Sequence, residues 1–171
     1  MNGDLLEWLL AGDVSIQGWM TFDPCDRPVT PCDWLVTLRY PDPTPAGHPV
    51  RIDDLSRGNV QRYHFVSEGS DEVYFEIGRY PDETIESALA AFVEGVVSRI
   101  DGIEIGERER SEVAGHPATR LEIRWPGKRR WIHFLDVDGV TYRVILNPDS
   151  ALNFAILDEL HIDRNKNLSE N

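Results

Sequence analysis

Two groups of residues in this sequence have the types and spacing that recognition or catalysis needs. The first is Trp125-Pro126-Gly127-Lys128-Arg129-Arg130-Trp131, which sets three adjacent cations between two indoles. Arg and Trp are enriched at binding hot spots: a guanidinium offers directed charge, an indole a large rigid apolar surface. The segment reads as a hairpin tip that meets a carboxylate-bearing partner through Trp125, Lys128, Arg129, Arg130 and Trp131. The plainer reading packs both indoles into the core and leaves three cations to solvate an exposed turn. The second group is the five histidines, His48, His64, His116, His133 and His161, spread over loops, strands and the last helix. His64 and His133 approach each other if their strands pair, and Asp53 or Asp136 would then supply a carboxylate. A lone strand histidine is more often structural.

Other chemistries leave no trace in the sequence. There is no Gly-x-Ser-x-Gly elbow, no Gly-rich phosphate loop, no His-Glu-x-x-His and no EF-hand spacing. Cys25 and Cys32 have no histidine nearer than His48, whereas structural zinc wants four ligands in closely spaced pairs. No metal and no cofactor are expected. Two reduced thiols in a cytoplasmic protein are the expectation for these cysteines, and a disulfide across the short loop is the alternative in an oxidising compartment.

Charge narrows the partners. Thirty Asp and Glu against seventeen Lys and Arg give a formal net charge of -13, which repels phosphate backbones and anionic membranes. Nucleic acid and membrane are not expected as partners. Residues 1–100 carry no lysine and most of the acidic excess, a surface suited to a basic protein partner or simply to solubility. The longest apolar run, Ala88 to Val93, falls far short of the roughly twenty residues that span a bilayer, and the first basic residue is Arg27, so no secretory leader is expected.

These residues need elements to position them. Asp4 to Ala11 reads as a short helix and 23–33, with three prolines, as an irregular lead-in. Trp34–Tyr40, Val60–Val66 and Glu72–Arg79 read as strands, with a proline-rich loop over 41–49 and a turn at 67–71. After Pro81, Asp82 or Thr84 caps a helix whose Ile85, Leu89, Phe92, Val96 and Ile100 recur at three- to four-residue spacing. Four strands follow, Ile103–Val113, Ala118–Trp125, Arg130–Val137 and Val140–Leu146, joined by turns too short for anything but antiparallel pairing. In the second, Leu121, Ile123 and Trp125 alternate with Arg120, Glu122 and Arg124, so one sheet face is polar there. Trp131 to Leu135 is apolar on both faces, as a central strand would be. Pro148-Asp149-Ser150 starts a closing helix with Leu152, Ile156, Leu157 and Leu160 inward.

The stretch Glu72–Leu160 resembles the PsbP-like superfamily, which includes DcrB-like and Mog-type domains. The resemblance rests on a strand, the capped helix at Thr84-Ile85-Glu86, the hairpin Val113-Ala114-Gly115-His116-Pro117-Ala118 with its alternating strand, the pair joined at Asp138-Gly139, and a terminal helix. Tyr40-Pro41 echoes the early Tyr-Pro of relatives. It implies an α/β/α sandwich, α+β in class, with a largely antiparallel central sheet flanked by helices. Its members are mostly non-enzymatic accessory subunits, import factors and adaptors, and they share no binding motif. The expected organisation is an extension over 1–33, the PsbP-like domain over 34–162 and a frayed tail over 163–171. The expected function is a non-catalytic protein-binding or adaptor domain. A small hydrolase-like enzyme using scattered His, Asp and Arg residues in a pocket is the alternative.

Overall fold

The helix expected after Pro81 forms for the reasons its sequence suggested. In the computed structural model, which describes residues 18–26 and 36–162, α1 spans Ile85–Arg99. The Thr84 hydroxyl accepts from the Ser87 N–H at 3.1 Å, and Ser87 Oγ accepts from the Thr84 N–H at 3.0 Å, so two otherwise orphaned donors are satisfied. Ala88 and Leu89 are buried, with Ile85, Phe92 and Val96 partly buried beside them, against Leu121, Ile123, Ile132, Phe134 and Ile145. Burying Leu89 contributes about 1.5–3 kcal/mol, so the apolar stripe holds the helix more than propensity does.

Those five partners lie on one face of a large antiparallel sheet. Its order is β3 (Val50–Asp54), β4 (Gln61–Ser67), β5 (Tyr74–Tyr80), β10 (Val140–Leu146), β9 (Lys128–Val137) and β8 (His116–Trp125). β6 (Glu104–Ile105) and β7 (Glu109–Val113) both pair along the outer edge of β8. A second sheet sets β2 (Val36–Tyr40) between β1 (Met20–Phe22) and β11 (His161–Ile162). From it Phe22, Val36 and Leu38, joined by Leu152 and Ile156 of α2 (Ala151–Asp158), close over Tyr63, Phe65, Phe75 and Val144 on the far face of the main sheet. The fold is α+β with a mostly antiparallel sheet. α1 covers one face; the three-stranded sheet and α2 share the other.

Several elements differ from the sequence expectation. The strand expected over 103–113 is broken into β6 and β7, because Gly106 donates its N–H to the Glu122 carbonyl at 2.8 Å and a Cβ there would stand 3.1 Å from that oxygen. β1, β3 and β11 were not anticipated; each is short, and β3 is charged (Val-Arg-Ile-Asp-Asp), so strand neighbours supply what local pattern lacks. β1 falls inside the expected extension, and its Phe22 ring lies 5.0 Å from both Tyr63 and Phe65. Cys25 is disulfide-bonded rather than reduced, which corrects the free-thiol expectation. The only other cysteine of the sequence, Cys32, lies outside the described residues, as do the helix expected over 4–11 and the tail 163–171.

Candidate functional site

Antiparallel connection sends alternate turns to opposite ends of a sheet. Here the loop 41–49, the turn 67–73, the β8–β9 turn at Pro126-Gly127 and the segment 147–150 before α2 all gather at one end, because Val50 pairs with Ser67, Phe75 with Leu146 and Leu146 with Trp131. Between them lies a cleft of about 810 Å³, lined by Pro45, Ala46, Asp71, Glu72, Gly127, Lys128, Arg130, Asn147, Asp149, Ser150 and Leu152.

Buried polar side chains hold this end together. Asn153, fully buried, accepts from the Tyr74 N–H at 3.0 Å and donates to the Asn147 carbonyl at 3.1 Å and the Glu72 carbonyl at 3.3 Å. Thr44 donates to Glu72 Oε2 at 2.6 Å and accepts from the His48 N–H at 3.1 Å, fixing the proline-rich loop against the turn opposite. Asn147 Nδ2 reaches the Asp71 carbonyl at 3.3 Å, and Ser150 Oγ donates to the Glu72 carbonyl at 2.5 Å. Each bond contributes about 1 kcal/mol net, but an unpaired buried amide would cost more, so the four connections are constrained as a set.

The hairpin expected as a cationic tip is divided by the strand period. Trp125, Lys128 and Arg130 face the α1 side, whereas Arg129 and Trp131 face away. Lys128 is exposed. Arg129 pairs with Asp149 at 2.8 Å and lies 3.8 Å from Glu122. Arg130 is only 7% exposed, not a solvated turn cation; its guanidinium stacks 4.0 Å over the Tyr74 ring and 5.6 Å from Trp125 and donates to the Arg129 carbonyl at 2.8 Å. Trp125 packs with the α1 core. Trp131 lies against Phe154 and under Arg120 and donates to Glu122 Oε2 at 2.8 Å. Burial pushes the Glu122 carboxyl up, but hydrogen bonds from Arg124 and Trp131 outweigh it and hold the carboxyl below its ordinary value. Lys128 and Arg130 line the cleft; Trp125, Arg129 and Trp131 do not.

His64 and His133 do not meet. Two strands separate β4 from β9, and register puts the rings on opposite faces: His64 pairs with Glu76 and Glu76 with Ile145, while His133 pairs with Val144. Consecutive residues of β10 point opposite ways. Asp53 does sit directly across from His64, so Asp53, His64 and Glu76 form a row over three strands, flanked by Arg51 bonded to Asp53 at 2.8 Å and Arg143 bonded to Glu76 at 2.7 Å. Burial lowers the His64 pKa, and Glu76 and Asp53 oppose that. His133 is buried with Ser111 Oγ 3.2 Å from its Nδ1, and burial together with Arg120 depresses it to about 4. Asp136 is spent on the Gly139 N–H of its turn at 3.1 Å. His48 sits in the loop, His116 is buried at the start of β8 and His161 is exposed in β11. Among the described residues no three His, Cys, Asp or Glu side chains converge as a metal site would need.

Comparison of the coordinates with solved structures bears on the fold. The solution structure of cyanobacterial PsbP from Synechocystis is similar over 88% of this chain and 96% of its own, with a TM-score of 0.55 and 15% identity. The chain has a PsbP-like fold. A protein of unknown function from Pseudomonas aeruginosa, described as a putative regulator, matches over 80% of this chain and 86% of its own, with a TM-score of 0.35 and 14% identity. No family model and no curated protein matches the sequence. At this identity the PsbP-like fold carries no site residue across.

The two cations of the cleft, Lys128 and Arg130, are legible in the sequence; its frame is not. Asn147, Asn153 and Thr44 carry no motif. The turns themselves were legible, and counting antiparallel connections from 67–71 to 126–127 would have placed both at one end.

Proposed function

We propose that this protein is a non-catalytic binding or adaptor domain, as several members of the PsbP-like superfamily are, and that it receives a segment of a partner protein in the sheet-end cleft. In this reading α2 stands as the second helical layer of an α/β/α sandwich and frames one wall of the site. The observation that carries the proposal is the cleft itself: its volume falls within the roughly 300–1,000 Å³ of built ligand sites, and the Asn153 and Thr44 networks preorganise its walls, which lowers the entropy cost of binding. Pro45, Ala46 and Leu152 give it apolar surface beside the two cations. His64 and His133 lie on opposite faces of the main sheet and so form no joint site for the hydrolase alternative. The net charge of -13 favours a protein over a nucleic acid. The disulfide at Cys25 favours an oxidising compartment over the cytoplasm.

A photo-crosslinking residue placed at Ala46, in the cleft, and separately at Val97, exposed on the far side of α1, tests this in the native cell. A discrete protein adduct from position 46 and none from 97 is expected. No adduct from 46, or the same adducts from both, would overturn the reading.

A further inference from the structure

Arg130 is buried, and among the described residues it has no acidic partner. The ion pairs of its neighbourhood go elsewhere: Arg129 takes Asp149 and Arg143 takes Glu76. Among the described residues no carboxylate forms an ion pair with Arg130, and its Nε–H meets no acceptor. Its guanidinium is held instead by aromatic surface, over Tyr74 and beside Trp125, and by one backbone carbonyl. A buried cation in this state has surrendered its hydration for contacts weaker than a carboxylate would give, and the deficit is recovered when an anion arrives. Arg130 also lines the cleft, and Lys128, two residues before it on the same strand face, is exposed there. Of the three acids on the cleft walls, Asp149 is bound by Arg129 and Glu72 by the Thr44 hydroxyl, while Asp71 is exposed to solvent that screens it.

We infer that Arg130 and Lys128 form a carboxylate subsite, and that the segment received by the cleft carries an aspartate or glutamate side chain flanked by apolar residues. Arg130 supplies a planar donor fork already fixed by Tyr74 and Trp125, so little rotamer freedom is lost on binding. Lys128 supplies exposed charge that draws the acidic segment in and whose effect salt weakens. Pro45, Ala46 and Leu152 offer contact to the flanking apolar side chains. The inference rests on the cleft being the peptide-binding site proposed above.

Two degenerate peptide libraries test it on the full chain: acetylated pentapeptide amides Gly-X-Glu-X-Gly, with X an equimolar mixture of Leu, Val, Phe and Tyr, and the same library with Gln in place of Glu. Binding is read by NMR from the Arg130 Nε–H and Trp125 indole N–H signals. The expected result is saturable shifts with the Glu library, at least about tenfold weaker binding of the Gln library, the magnitude of one charge-assisted bond, and a Glu preference that shrinks with added salt. Arg130→Met, which keeps the stem over Tyr74, should abolish the preference. Lys128→Gln, at an exposed position that leaves the fold unchanged, should lower Glu-library affinity severalfold and remove most of its salt dependence. Equal binding of the two libraries, or a preference that survives both substitutions, would overturn the carboxylate subsite and leave a peptide cleft standing. Binding of neither library would overturn both.

Discussion

The Glu76–Arg143 pair lies where an ion pair is least replaceable by water, between the main sheet and α1. Glu76 is 6% and Arg143 8% exposed, their N···O distance is 2.7 Å, and Arg143 stacks at 5.0 Å from Tyr80 and 5.2 Å from Phe92. Arg143→Met keeps most of the stem but strands the Glu76 carboxylate. Breaking a buried pair from one side costs about 3–5 kcal/mol, because the remaining charge has neither water nor a partner. At roughly 2–4 °C per kcal/mol for a chain of this size, Tm falls by about 6–20 °C. The double variant Glu76→Leu/Arg143→Met removes both charges, and its stability should return to within about 1 kcal/mol of the parent or exceed it, since apolar replacement of a whole buried pair is often neutral or stabilising. Urea unfolding followed by far-UV circular dichroism at pH 7 measures all four corners of the cycle, with m checked for constancy. A single-variant loss below about 0.5 kcal/mol, the size of an ordinary surface change, would refute the burial argument. So would a double variant no more stable than Arg143→Met.

Two further predictions concern the opposite face. His133 titrates near 4 in the fold against 6.5 ordinarily, so the unfolded chain binds the extra proton. Its contribution is therefore fully present above pH 6.5 and is lost as pH falls toward 4, by about 3 kcal/mol in total. Urea midpoints between pH 7 and 4 should show this slope, and His133→Gln should flatten it; an unchanged slope would exonerate His133. Phe22→Ala deletes a ring wedged against Tyr63 and Phe65 and should cost about 3–5 kcal/mol. A loss below about 1 kcal/mol by the same unfolding assay would show β1 to be a loose appendage rather than core.

The sequence by itself determined the elements whose cause is local. The stripe through Leu89 and Phe92 sets the buried side of α1, and of the two caps the sequence offers, Asp82 and Thr84, it is Thr84 that starts it. The turn Pro126-Gly127, with Gly127 at φ +74°, and Asp138-Gly139 fix two hairpins, and the alternation Leu121, Ile123, Trp125 assigns the faces of β8 correctly. Each signal acts over a few residues, through backbone φ, capping or side-chain period, and so survives in the sequence. β1, β3 and β11 have no such signal, being two to five residues long and defined by the strands they meet.

Only the tertiary structure decided what the functional residues do. Solvent exposure was expected of all three hairpin cations; the structure leaves Lys128 exposed, stacks the buried Arg130 of the same strand face over Tyr74, and turns Arg129 on the opposite face to Asp149. His64 and His133 were separated by strand order and register, which depend on pairings between residues tens of positions apart. The cleft is likewise a product of antiparallel counting: four connections, none informative alone, come to one end and are tied by Asn153 and Thr44. A side chain's chemistry follows from its burial and partners, and those are set by which strands lie next to each other rather than by the residues beside it in the chain.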